Sequence, residues 1–249
     1  MDKSKVQEKW VQEIRSRHEL SVDDVERSLR YARDLLDGRE FLEKYDQGVV
    51  VFGSARVKEG DEFYGKAREL GKRLAESEQI VTTGGGPGIM EATSRGAFEA
   101  GGTVLGLNIT LPFEQKLNNY TTDGMEFRYF FARKVMLVDS GKVFVYFPGG
   151  IGTLDEFSEL VELLQNDKMP NAPLFLFGSE FWRPLVGLLE HFVDTGMMAQ
   201  KDMDLVKVTD DIEEIVTTAN ATEARRLHMA QHHHGSYTPA WADNLHGQD

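Results

Sequence analysis

The 249-residue chain reads as an α/β protein: a Rossmann-like doubly wound parallel sheet flanked by helices, with an extra N-terminal helical segment. Three observations lead there. Short apolar runs, "VVVFG", "IVTTGG", "TVLGLNI", "VFVYFPGG" and "PLFLFG", alternate with amphipathic stretches at the spacing of βα units. Within each run nearly every residue is apolar, the pattern of parallel strands covered on both faces. Two of the runs pass directly into glycine-rich turns, at the strand ends where such sheets bind ligands.

The elements follow in order. Residues 1–46 read as helices: Ser21 stands as an N-cap with Asp24 three positions on, and Val25, Leu29, Ala32 and Leu35 recur at helical spacing. This segment precedes the first strand and is expected to pack on the main domain or on a partner subunit. Residues 47–222 hold the sheet domain. Its helices are expected in "FYGKARELGKRLAES", "GIMEATSRGAFEAG", "FFARKVMLVDSG", "TLDEFSELVELLQ" and "EFWRPLVGLLEHFVDTG", and "LVKVTDDIEEIVTTA" adds one more strand and a capped helix. Residues 223–249 show no period and are expected to form a mobile tail. Its His232, His233 and His234 are consecutive and cannot all face one ion as rigid ligands, so no metal site is expected there.

Composition narrows the function. A net charge of −13 argues against a nucleic-acid partner, which needs a basic face. A small anionic ligand stays open, because a few N–H groups and one or two cations suffice to hold it. Cysteine is absent, which removes disulfides, thiolate nucleophiles and cysteine metal ligands. The first twenty residues are charged throughout, unlike a signal peptide, and no apolar run approaches the roughly 18 residues of a membrane span. The expectation is a cytoplasmic protein with no membrane partner.

The glycine turns are "TTGGGPGIMEA", with Gly84, Gly85, Gly86 and Gly88, and "PGGIGTLDE", with Gly149, Gly150 and Gly152. Glycines at a strand-to-helix turn let main-chain N–H groups approach an anion, and the following helix adds partial positive charge. One such turn is often only a tight connection. Two on the ligand edge of one sheet favour a phosphate site. A dinucleotide is not indicated: Gly84 and Gly86 are followed by Ile89 where that fingerprint has its third glycine, and the turn follows the second strand. GxxxxGK[ST] is also missing. A mononucleotide or sugar phosphate remains.

Charged residues beside these turns have two readings each. Thr153 is a plausible N-cap, placing Asp155 and Glu156 in a first helical turn, where acids favour the dipole. A carboxylate there can equally face the sugar of a bound ligand. Adjacent Arg133 and Lys134 lie about 100° apart on their helix, either as a solvated edge or with Arg133 reaching the ligand and Lys134 at the rim or on the phosphate. Glu114 falls in "LNITLPFEQKLNNY", a long loop at the same edge, and is either a surface acid or a ligand contact.

Together "GGGPGIM", "LPFEQ", "RKVM" and "PGGIGTLDE" resemble the LONELY GUY (LOG) family, whose hallmark is PGGxGTxxE and which was long labelled "lysine decarboxylase". The resemblance spans about Gly48 to Thr217. It implies a Rossmann-like phosphoribohydrolase that cleaves the N-glycosidic bond of a nucleoside 5′-monophosphate, AMP or an N6-modified cytokinin nucleotide, to free base and ribose 5-phosphate. It also implies a homodimer or larger assembly with the site near the subunit interface, and no cofactor. Carried over by motif, Arg133 and Glu156 match the catalytic pair. Ser54 in "VFGSAR", Gly84, Gly85, Gly86, Gly88, Glu114, Lys134, and Gly149, Gly150, Ile151, Gly152 and Thr153 match substrate-binding positions. The sequence departs from the plant-type GGGxxGLMG at Ile89 and Glu91, and "LPFEQ" resembles the bacterial branch.

Cleaving a ribosyl–base bond builds positive charge at C1′ and negative charge on the base. On this reading Glu156 stabilises the sugar cation and orients water, Arg133 positions the ribose phosphate or supports the base, and Lys134 and the glycine turns anchor the phosphate. Glu114 would hold base or ribose. Two other readings stand beside it: a non-catalytic nucleotide- or molybdenum-cofactor-binding protein of the same fold, and a pyridoxal-phosphate decarboxylase.

Overall fold

In the computed structural model, which describes residues 21–111 and 117–224, seven strands form one parallel sheet. The chain opens with α1 (Val22–Leu42), then β1 (Gly48–Phe52), α2 (Glu62–Glu76), β2 (Val81–Thr83), α3 (Ile89–Glu99) and β3 (Val104–Ile109). β4 (Asp123–Phe127), α4 (Phe130–Asp139), β5 (Gly141–Tyr146) and α5 (Ile151–Gln165) follow. β6 (Leu174–Phe177), α6 (Ser179–Asp194), the short α7 (Gln200–Met203), β7 (Val206–Thr209) and α8 (Ile212–Ala221) complete it. The spatial order is β4-β3-β2-β1-β5-β6-β7. The chain therefore winds outward from β1 in one direction, then returns to β5 on β1's other side and winds away. The loops leaving β1 and β5 diverge, and that reversal point is where a doubly wound sheet opens a crevice.

Strand alternation divides the core into two layers. Val50 and Phe52 of β1 point to the layer with Met136 of α4, Phe157 of α5 and Trp182 of α6. Val49 and Val51 point to the other, with Leu70 of α2, Ala92 of α3 and Ile215 of α8. Both faces are covered, which is why these strands are apolar throughout. α1 joins the first layer through Phe41 and Leu42. Ser21 caps it as expected, its hydroxyl accepting the Asp24 N–H at 3.2 Å. Among the described residues no helix is long and apolar enough to cross a membrane.

Two features differ from the sequence reading. β4 is missing from the apolar runs read in the sequence, because "DGMEF" carries two acids and a glycine; it is an edge strand, covered incompletely, and its register against β3 runs from Leu105 with Asp123 to Ile109 with Phe127. The PGGIGT turn thus follows the fifth strand rather than the fourth. Thr153 does not cap α5: the helix starts at Ile151 with Gly150 as N-cap, and Thr153 is buried inside it, beneath Gly149. Gly150 takes an ordinary extended cap geometry (φ −99°, ψ −154°), and the helix begins earlier than the Thr suggests. Residues 1–20, the first part of the expected helical segment, 112–116, with most of the "LPFEQ" loop, and 225–249, with the His tract, lie outside the described residues.

Candidate active site

Ser54, two residues past β1, ties the two glycine turns together. Its N–H donates to the Pro148 carbonyl at 3.0 Å, and its carbonyl accepts from Ile89 N–H at 3.0 Å. Its hydroxyl accepts the Arg56 N–H at 3.1 Å. Gly88 makes the join possible: its φ is +73°, and a Cβ there would drive into the Ser54 carbonyl.

The two turns differ in what they leave free. In the β2–α3 turn the Gly85 N–H turns back to Thr83 Oγ1 at 3.0 Å, and α3's first N–H, on Ile89, is taken by Ser54. The carbonyls of Gly85 and Gly86 accept from Asn118, at 2.8 Å from its main chain and 3.1 Å from its side chain. This turn is a fastened floor, and only Gly84 of its four glycines lines the cleft. The β5–α5 turn is the opposite. Among the described residues no side chain caps α5, so the N–H groups of Ile151, Gly152 and Thr153 stand as donors at the positive end of the helix.

Between these turns lies a cleft of about 560 Å³, within the usual range for a small-molecule site. Ser54, Gly84, Gly150, Ile151, Gly152 and Thr153 line it, together with Arg133 and Glu156. Arg133, in the second turn of α4, donates from Nη2 to Glu156 Oε1 at 2.6 Å; the two side chains are only 13% and 14% exposed. The Arg133 guanidinium lies 5.6 Å over the Phe130 ring, and its buried Nε finds no hydrogen-bond partner among the described residues. Burial pushes the Glu156 carboxyl up to about 7, against the lowering effect of Arg133 and with help from Asp155. The Glu156 carbonyl accepts the hydroxyl of the buried Tyr146 at 3.2 Å, fixing α5 to the end of β5.

Because α5 starts at Ile151, Glu156 stands in its second turn, and the first turn carries no acid. Helix-dipole stabilisation therefore does not account for it. Lys134 takes a different direction from Arg133. Its ammonium pairs with Asp155 at 3.1 Å and Glu159 at 3.3 Å, outside the lining of the main cleft. Burial alone would depress this ammonium, but the two acids outweigh it and hold it above its ordinary value. Gly85, Gly86 and Gly88 support the cleft from behind, Gly149 packs on Thr153, and Glu114 lies outside the described residues.

Six lining residues went unmarked in the sequence: Phe52, Gly53, Ala55, Arg56, Met90 and Leu137. Arg56 had a usable signal, since it closes the "VFGSAR" run at a strand's carboxyl end. Met90 and Leu137 look like ordinary core residues of their helices. Among the described residues no group of three His, Cys, Asp or Glu could hold a metal ion.

The fold and cleft define a Rossmann-like α/β protein with its site at the reversal point of the sheet. More particularly, residues 90–219, over half of the chain, match the family model described as possible lysine decarboxylase, and the chain belongs to that family, the LOG family of its motifs. It is 28% identical over 171 residues to a cytokinin riboside 5′-monophosphate phosphoribohydrolase from Rhodococcoides fascians, covering 67% of this chain and 86% of the relative. A probable enzyme of the same name from Oryza sativa subsp. japonica is 26% identical over 172 residues, covering 68% and 74%. Among solved structures, a molybdenum cofactor binding protein from Rippkaea orientalis shares the fold at 21% identity, with a TM-score of 0.53 over 70% of this chain and 94% of that one. The molybdenum cofactor carrier protein of Chlamydomonas reinhardtii aligns at 25% identity and TM-score 0.50, over 70% and 97%.

Proposed function

We propose that the protein hydrolyses the N-glycosidic bond of a nucleoside 5′-monophosphate, AMP or an N6-modified adenine nucleotide, to free base and ribose 5-phosphate. The observation that carries this reading is the buried Arg133–Glu156 pair lining a cleft that the donor end of α5 also lines. The named activity of the relatives supports it.

The chemistry follows from charge. The 5′-phosphate sits against the N–H groups of Ile151, Gly152 and Thr153, where the helix terminus favours an anion. That contact is remote from C1′ and holds the sugar in place for reaction. As the C1′–N bond breaks, its electron pair leaves with the base, and ionised Glu156 stabilises the cation left on the sugar. A water oxygen bonds to C1′ and its proton passes to Glu156; the base nitrogen takes up a proton from solvent, and Glu156 then releases its own to solvent, so that one water is consumed in all. A carboxyl with a pKa of about 7 exchanges protons readily near neutrality. Arg133 keeps Glu156 oriented through its Nη2 hydrogen bond. Glu114 is assigned to the base or ribose.

The exposed apolar residues around this end of the molecule, Phe130, Phe131 and Ile151, support a homodimer or larger assembly with the cleft near its interface. Decarboxylation through a lysine Schiff base fits less well. Lys134, the lysine beside the pair, is clamped by two acids and held protonated, whereas such a lysine needs a lowered pKa. The likeness to cofactor carriers favours one second reading, a protein that binds a phosphate-bearing ligand without cleaving it. Purified protein incubated with a panel of nucleoside monophosphates separates them. Equimolar free base and ribose 5-phosphate are expected; saturable nucleotide binding with no product would establish the carrier reading instead.

A further inference from the structure

We infer that the N-terminal helix α1 is a positioning brace for the Arg133-bearing helix, acting through Asp34; this rests on the hydrolase reading above. α4 has no cap of its own. Tyr129, its N-cap residue, makes no side-chain capping bond. The cap comes from α1: the Asp34 carboxylate, from Oδ2, accepts the N–H of Arg128 at 2.8 Å and of Tyr129 at 3.3 Å. A carboxylate at this place satisfies the N–H of the N-cap and of the residue before it, and complements the positive end of α4.

Three further contacts make α1 a brace along the whole of α4. Tyr31 stands edge-on to Tyr129 and Phe131, with ring centroids 4.5 and 5.2 Å away. Gly38 lets the helices close together, since a Cβ there would stand 2.6 Å from Met136 Cγ. At the far end Arg39 pairs with Asp139 at 3.5 Å.

The brace matters because of what α4 carries. Its first main-chain bond runs from Arg133 N–H to the Tyr129 carbonyl, at 3.1 Å. Asp34 therefore grips the residue from which Arg133's own turn is hung. Fixing that turn fixes where the guanidinium meets Glu156. Displacements of about 1 Å at a reacting group cost on the order of 100-fold in rate. α1 lies outside the residues matched by the family model, 90–219, and serves the site without entering the cleft.

The test is Asp34→Ala in the full chain, read in two ways. The first needs no turnover: the Nε–H resonance of ¹⁵N-labelled Arg133, assigned by its loss in Arg133→Lys, should shift in Asp34→Ala. Asp34→Asn keeps an acceptor oxygen and should return it to the parent position. The second is kinetic. Asp34→Ala should lower kcat on AMP by about 10- to 100-fold with less than a threefold change in KM. The Glu156-dependent rise of kcat/KM with pH should move to higher pH as Arg133's grip loosens, the flanking Asp155, Glu159 and Lys134 being unchanged. Asp34→Asn should restore both. If Asp34→Ala does not fold, Asp34→Glu, which displaces the carboxylate by one methylene, takes its place with the same shifts expected. A parent-like Arg133 resonance with parent kcat and pH profile, and only a lowered melting temperature, would overturn the inference. Absence of AMP hydrolysis in the parent would sink the hydrolase reading alone, leaving the resonance to decide the brace.

Discussion

Arg133 and Glu156, on two helices that leave the sheet at different strands, meet at 2.6 Å in a site where both are largely buried. The contact does not remove the cost of burying the carboxylate, whose pKa still rises to about 7. Glu156 is therefore held close to its own titration point at neutral pH.

Replacing Glu156 by Gln keeps its shape and removes its charge. AMP cleavage, followed as adenine release by chromatography, should fall by on the order of 100-fold or more, because charge stabilisation aimed at a developing cation is lost. The fold should persist, with an unchanged far-UV circular dichroism spectrum. Turnover at the parent rate would mean that another group stabilises the sugar.

Arg133→Ala should cost activity and stability together. Removing one partner leaves the other's charge buried without compensation. The loss should be about 1–3 kcal/mol at pH 8 and smaller at pH 6, since Glu156 then escapes the penalty by taking up a proton. Urea titrations at the two pH values measure the difference. Equal losses at both would show that the cation does not act through Glu156.

Lys134→Met distinguishes two roles for that lysine. Its ammonium is held by Asp155 and Glu159, away from the cleft lining. Its charge lowers the Glu156 pKa through space, so its loss should move the rising limb of kcat/KM to higher pH. KM for AMP at pH 8 should change by less than about threefold, a few tenths of a kcal/mol in binding. A KM rise of tenfold or more would return Lys134 to the phosphate.

The sheet was legible because double-sided burial writes itself as continuous apolar runs, and "VFVYF" of β5 could hardly be anything else. β4 was not, because an edge strand with Asp123 and Glu126 half in solvent loses that signature. The glycine turns were visible as turns, but their difference was not. The Gly85 N–H turns back locally to Thr83, but the Gly85 and Gly86 carbonyls are fastened by Asn118 folding back from a loop more than thirty residues away, which no local pattern encodes. Glu156 was ambiguous because the helix start is ambiguous: moving it from Thr153 to Ile151 takes the acid out of the first turn and with it the dipole explanation. Asp34 was invisible for the same reason as Asn118. It reads as one acid among several on α1, and its value appears only when Arg128 and Tyr129 are brought to it.

Gly88→Ala should destabilise the whole site region. Its φ of +73° disfavours any Cβ, and the added methyl would collide with the Ser54 carbonyl. The Ile89-to-Ser54 bond, which locks the two turns together, would have to lengthen. Strain and overpacking together should cost about 2–4 kcal/mol in chemical denaturation. A loss below 0.5 kcal/mol would show that the turn adapts.

The raised Glu156 pKa also makes a stability prediction with a definite sign. Unfolded, the carboxyl titrates near 4.5; folded, at about 7. Below pH 4.5 it is neutral in both states and exacts no penalty. Between 4.5 and 7 the unfolded chain releases a proton that the folded chain retains, so folding stability falls as pH rises. Above 7 both states are ionised and the loss levels off, at no more than about 3 kcal/mol. Glu156→Gln cannot ionise, so its stability relative to the parent should climb with pH through this window and then flatten. Melting temperatures of the two proteins measured in parallel from pH 5 to pH 8.5 give the difference directly. A difference that stays constant, or falls as pH rises, would show that the buried carboxylate is compensated in full by Arg133 and Lys134.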